Sequence, residues 1–126
     1  MRIRLAAVIA AVLVLMLAGS VFAHHATASY NMTQSSTVKG TVTNFEWTNP
    51  HAYIYLDVKD AKGTTEKWTV ELGTIGMLSR AGWKRDTVKP GDEITATGNP
   101  AKDGRPLMRF EKLVFANGRE LTSEVQ

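Results

Sequence analysis

The chain has 126 residues, a formal charge of +3 and no cysteine. That length suits one small domain and excludes two, and the lack of cysteine excludes disulfides and a lipid-modified amino terminus. Acidic and basic residues alternate along the sequence instead of clustering, which speaks against a nucleic-acid-binding face.

The first 23 residues read as a secretory signal. Met1-Arg2-Ile3-Arg4 is a short basic start, Leu5 to Ala18 is an unbroken apolar run of 14 residues, and Ala18-Gly19-Ser20-Val21-Phe22-Ala23 ends it in mostly small residues. A helix needs roughly 20 residues to span a bilayer, so a permanent anchor fits this run less well. Val21 and Ala23 place peptidase cleavage between Ala23 and His24, with a cut after Ser20 as the weaker alternative. The expected product is periplasmic or secreted and keeps no membrane span. It is also nearly neutral, because Arg2 and Arg4 leave with the signal.

A polar leader, residues 24–36, precedes the expected domain at residues 37–122, and residues 123–126 form a tail. Residues 37–47 read as the first strand. Val38, Gly40 and Val42 share a face, and the apolar phase then slips to Phe45 and Trp47, which predicts a bulge. Residues 52–59 alternate cleanly, with Ile54, Leu56 and Val58 opposed to Tyr53, Tyr55 and Asp57. The turn Asp60-Ala61-Lys62-Gly63 then returns an antiparallel strand at 66–72, whose apolar face is Trp68, Val70 and Leu72.

Residues 74–83 break the period of two. Thr74 is a suitable cap, Ile75, Leu78 and Ala81 fall at helical spacing, and Gly82 suits the end of one short helix. Lys89-Pro90-Gly91-Asp92 launches a strand at 93–98 with Ile94 and Ala96 inward. A polar loop at 101–106 leads to the last long strand, 107–115, and Asn117-Gly118 turns the chain into a brief edge strand through Leu121. Three strands, one helix and two strands is the order of a five-stranded oligonucleotide/oligosaccharide-binding (OB) Greek-key barrel, so the expected class is all-β with one short helix. A small β-sandwich is the alternative. The expected core includes Val42, Ile54, Leu56, Val70, Leu78 and Ile94.

Several strings carry a resemblance: His24-His25 directly after the signal, Gly40-Thr41-Val42, Phe45-Glu46-Trp47-Thr48-Asn49-Pro50-His51, Trp68, Glu71-Leu72, Gly82-Trp83 and Lys89-Pro90-Gly91-Asp92. Together they resemble an exported bacterial family, domain-of-unknown-function family 6152, over essentially the whole mature chain. The string Trp47-Thr48-Asn49-Pro50-His51 is its specific part. The resemblance implies export and a small β-barrel, and it brings no activity.

The three histidines occupy two places. His24 and His25 would head the mature chain, and His51 stands at the entrance to the second strand after Asn49-Pro50. A free α-amine with a pKa of about 7.7 and an adjacent imidazole form a chelate, to which a second histidine adds another nitrogen. Nitrogen-rich sites favour copper in the affinity order of divalent ions. The candidate metal ligands are therefore His24, His25 and His51, with Glu46 or Glu71 as an acid that could orient the ring of His51.

Against this stands the plainer account, in which the histidines serve only the peptidase and a loop backbone. The aromatic residues offer a second surface. Phe45 and Trp68 are expected to fill the core, while Trp47, Tyr53 and Tyr55 are candidates for a face that stacks a ligand. No phosphate loop, directed Ser/His/Asp spacing or paired-histidine helix is present, so no catalytic residue is assigned. Two functions follow. One is an exported accessory protein that binds copper, and the other is a metal-free module that binds a peptide, a glycan or another periplasmic protein.

Overall fold

The computed structural model of the protein describes residues 27–123. The signal segment, His24, His25 and the last three residues lie outside the described residues.

Among the described residues, six strands and a short helix follow in order: β1 (Ser36–Glu46), β2 (Tyr53–Lys59), β3 (Thr65–Glu71), α1 (Ile75–Arg80), β4 (Glu93–Pro100), β5 (Leu107–Phe115) and β6 (Glu120–Thr122). Antiparallel pairing joins β3-β2-β1-β4-β5-β6, and a parallel pairing of β3 with β5 closes the first five strands into a barrel. The barrel is the expected OB-like one, with the helix between its third and fourth strands.

β1 closes this small circumference by serving two neighbours. Its first half pairs with β4 from Ser36↔Gly98 to Thr41↔Glu93, and its second half pairs with β2 from Thr41↔Asp57 to Glu46↔Tyr53. The register with β2 shifts between Val42 and Asn44, at the point where the apolar phase slips in the sequence. A bulge there increases the local twist and bends the strand around the core. Gly40 sits at the same bend, where a Cβ would stand 2.6 Å from the Asp57 carbonyl oxygen.

The inward face carries Val42, Ile54, Leu56, Val70, Ile94, Met108 and Leu113, all buried. Helix α1 plugs one end of the barrel. Thr74 caps it by accepting a bond from the Met77 N–H, Leu78 is its buried residue, and Gly82 follows at a φ of 89°. That left-handed conformation is open to glycine with little strain, so the chain turns there and delivers Trp83 into the core. Trp83 meets Phe110 edge-on at 5.4 Å and donates its indole N–H to the Thr122 carbonyl at 2.8 Å, which ties β6 to the plug. Phe45 and Trp68 are partly buried against this core, and so is Trp47, which meets Phe45 edge-on at 5.7 Å.

Gly98 marks where two strands come closest. It lies beside a register shift between β4 and β5, and a Cβ there would fall 2.1 Å from the Arg109 carbonyl oxygen. Backbone cannot give way as a flexible side chain does, so Gly98→Ala is expected to cost about 1 to 3 kcal/mol or more through forced displacement. Urea unfolding of the variant checks this. An unchanged midpoint would mean that the two backbones do not approach so closely.

Candidate functional site

The period of two along β2 sets the site. Ala52, Ile54 and Leu56 are buried, so His51, Tyr53 and Tyr55 alternate with them on the outer face. Pairing with the neighbouring chain continues past the end of the strand. Ala52 donates to the Gly73 carbonyl at 3.2 Å and accepts from the Leu72 N–H at 2.8 Å, which holds His51 alongside Glu71. The Asn49–Pro50 peptide bond just before it is cis. Across the barrel, the register aligns Glu46 with Tyr53, Tyr53 with Glu71, and Glu71 with Arg109.

Glu71 is the centre of this row. Its Oε1 lies 2.7 Å from His51 Nδ1, and its Oε2 accepts the phenol O–H of Tyr30. A carboxylate only accepts, so the proton of the first bond sits on Nδ1. In the neutral ring Nε2 then carries the lone pair, which is the arrangement that second-shell carboxylates impose on metal-binding histidines. The His51 side chain is 27% exposed, so the ring is held and still accessible. Glu46, the other acid considered for this role, instead accepts from the Tyr55 hydroxyl at 2.8 Å.

Tyr30 belongs to the segment that reads as a polar leader, yet it is only 2% exposed. Its backbone explains how it gets there. Tyr30 bridges to Ala101, Asn31 donates to the Pro100 carbonyl at 2.9 Å, and Ser29 accepts from the Lys102 N–H at 2.9 Å. Further on, buried Asn99 donates to the Gln34 carbonyl at 2.9 Å. The leader is thus laid along the end of β4 and brought to the His51 side of the barrel. Tyr30 is the sole aromatic residue between His24 and Ser36, which is the one signal that could have singled it out.

A cleft of about 210 Å³ opens beside these groups. Thr27, His51, Glu71, Met77 and Arg109 are among its lining residues. Among the described residues no three His, Cys, Asp or Glu side chains stand together as a ready metal cage. Of the metal ligands expected from the sequence, His51 is placed at the cleft, while His24 and His25 lie outside the described residues. Tyr53 and Tyr55 stack with ring centroids 6.4 Å apart at 28°.

Burial, the hydrogen bond to Glu71 and that residue's charge push the Tyr30 phenol well above the ordinary tyrosine range. Tyr53 is raised by burial and by Glu71 and Glu46, and Tyr55 by its bond to Glu46 and by burial. A raised phenol contributes stability that is complete below the ordinary pKa of about 10 and is lost as the pH climbs above it. Stability is therefore expected to fall in alkali above about pH 10. Tyr30→Phe should cost about 1 to 3 kcal/mol at neutral pH, through the bond lost to a charged acceptor, and should make the alkaline fall shallower. Denaturant midpoints measured against pH test both, and equal slopes for the two proteins would contradict the assignment.

The closed β1-β2-β3-β5-β4 ring with helix α1 between β3 and β4 defines a small OB-like barrel. Within that class the chain belongs to the Family of unknown function (DUF6152), whose model matches residues 11–108. No curated protein matches the sequence. Among solved structures it is similar to the mitochondrial single-stranded DNA-binding protein Rim1 of S. cerevisiae, at 8% identity over 66% of this chain and 93% of that one, with a TM-score of 0.51. A selenomethionine-labelled form of Rim1 gives 11% identity, coverage of 68% and 97%, and a TM-score of 0.50. At such identities the likeness is one of fold alone. Among the described residues no helix is long and apolar enough to cross a membrane.

Proposed function

We propose that this is an exported periplasmic accessory protein that binds copper through His24, His25 and His51. One observation carries the reading: His51 is oriented through Nδ1 by Glu71 at the edge of a cleft that Thr27 also lines. His25 precedes Thr27 by two residues, a chain length of about 7 Å at most. Cleavage after Ala23 would therefore create an α-amine and two imidazoles a few residues along the chain from a cleft whose edge carries a third imidazole, oriented by Glu71. His51 and the amino-terminal pair supply nitrogen donors, the set that copper favours. Glu71 supplies the outer carboxylate that fixes the ring.

Amino-terminal sequencing and native mass spectrometry of the exported protein test the proposal together. The expected protein starts at His24 and carries one copper ion after loading. A start at Val21 or Ser29 would rule out the chelate, and a cytoplasmic form that keeps Met1 should bind more weakly. A second reading, a metal-free module that takes a peptide, a glycan or a partner protein, draws on the stacked Tyr53 and Tyr55 on the outer barrel face. Loss of binding to such a ligand in Tyr53→Ala, with no copper bound by the wild type, would favour it.

A further inference from the structure

Methionine is scarce and mostly accounted for. Met1 and Met16 lie before His24 and Met108 is buried in the core, which leaves Met32 and Met77 exposed, at 46% and 45%. Met77 is the one of these two that lines the cleft beside His51. Helix α1 does not need it for packing, since Leu78 is the residue the helix buries.

The first helical turn holds Met77 in place, with Thr74 Oγ1 accepting its N–H at 3.3 Å and the Thr74 carbonyl accepting from Leu78 at 3.0 Å. Its sulfur lies over the turn before the helix, 3.8 Å from where a Cβ on Gly73 would stand. The Gly73 carbonyl is in turn bonded to the N–H of Ala52, the residue after His51. His51 and Met77 thus lie on the two segments that this bond joins, and both line the cleft.

We infer that Met77 supplies a thioether ligand that lets this cleft hold Cu(I) beside His51; the inference rests on the copper reading above and names the oxidation state that the cleft prefers. The chain has no cysteine, so methionine is its only sulfur donor, and soft thioethers select Cu(I) over harder ions. Thioether and neutral imidazole add no charge of their own. Glu71 and Arg109 both line the cleft with opposite charges, so the donor chemistry of thioether and imidazole sets the preferred ion.

The test is anaerobic titration of the mature full-length protein with Cu(I) against a coloured cuprous chelator, and with Cu(II) in parallel, for wild type, Met77→Leu and Met32→Leu. Leucine keeps the bulk of an exposed side chain, so folding should be preserved, and thermal melts check it. Met77→Leu is expected to weaken Cu(I) binding about tenfold or more, the scale of losing one ligand or its support, and to leave Cu(II) within about twofold. Met32→Leu should change neither. X-ray absorption of the Cu(I)-loaded wild type should show a sulfur neighbour that Met77→Leu loses. Unchanged Cu(I) affinity and an unchanged sulfur neighbour in Met77→Leu overturn the inference while leaving Cu(II) binding through the histidines intact. A wild type that binds neither ion overturns both.

Discussion

Replacing His51 with alanine is expected to weaken Cu(II) binding about tenfold or more, the usual scale for removing a ligand or the group that orients it. The side chain is partly exposed and contributes nothing to the buried core, so the variant should fold as the wild type does. What it loses is a ring already fixed in orientation by Glu71, which spares the entropy of ordering a mobile ligand. Binding by the wild type should also weaken on acidification, because a protonated imidazole has no lone pair to offer. Competition titration with a chelator of known affinity measures both effects. If His51→Ala binds Cu(II) as the wild type does, the amino-terminal pair acts alone, the barrel has no part in the site, and the interaction module becomes the better account.

The barrel was legible because each element announces itself locally. Alternation along β2, the phase slip after Val42, the cap at Thr74 and the Asn117-Gly118 turn all depend on neighbours within a few residues. The site depends on distant pairings. His51 and Glu71 are 20 residues apart and Tyr30 is 41 from Glu71, so the sequence offers both Glu46 and Glu71 as partners without choosing. Register brings Glu46 of β1 and Glu71 of β3 opposite Tyr53 from its two sides, and the side-chain bonds then separate them, Glu46 to the Tyr55 hydroxyl and Glu71 to the His51 ring. The docking of the leader was hidden for a similar reason. Its contacts are mainly backbone bonds to Pro100, Ala101 and Lys102, which any polar sequence could make, and Tyr30 alone adds a side chain with a buried destination. The helical spacing of Ile75, Leu78 and Ala81 leaves Met77 off the apolar face, but that its outward side meets the His51 cleft depends on how the helix packs on distant strands.

The largest loss of stability is expected from Leu56→Ala. Leu56 sits near the middle of β2, between Val42 of β1 and Trp68 of β3 in register, and is 1% exposed. The β2–β3 ladder runs unbroken past Leu56, and β1 is paired with β2 on both sides of its bulge, so the barrel wall cannot easily fold inward to fill the space left by the missing carbons. Such a rigid site keeps most of its cavity, and the loss combines transfer of the side chain to water with the unfilled volume. Together these should cost about 2 to 5 kcal/mol, a large share of the stability of a domain this small. The outer face should be less affected, because Tyr53 and Tyr55 alternate away from the cavity. Urea unfolding followed by tryptophan fluorescence reads the change as a lower midpoint at an unchanged slope. A cost below about 0.5 kcal/mol would be that of a surface position, and would mean that the inward set of β2 is Tyr53 and Tyr55 with the whole strand turned over.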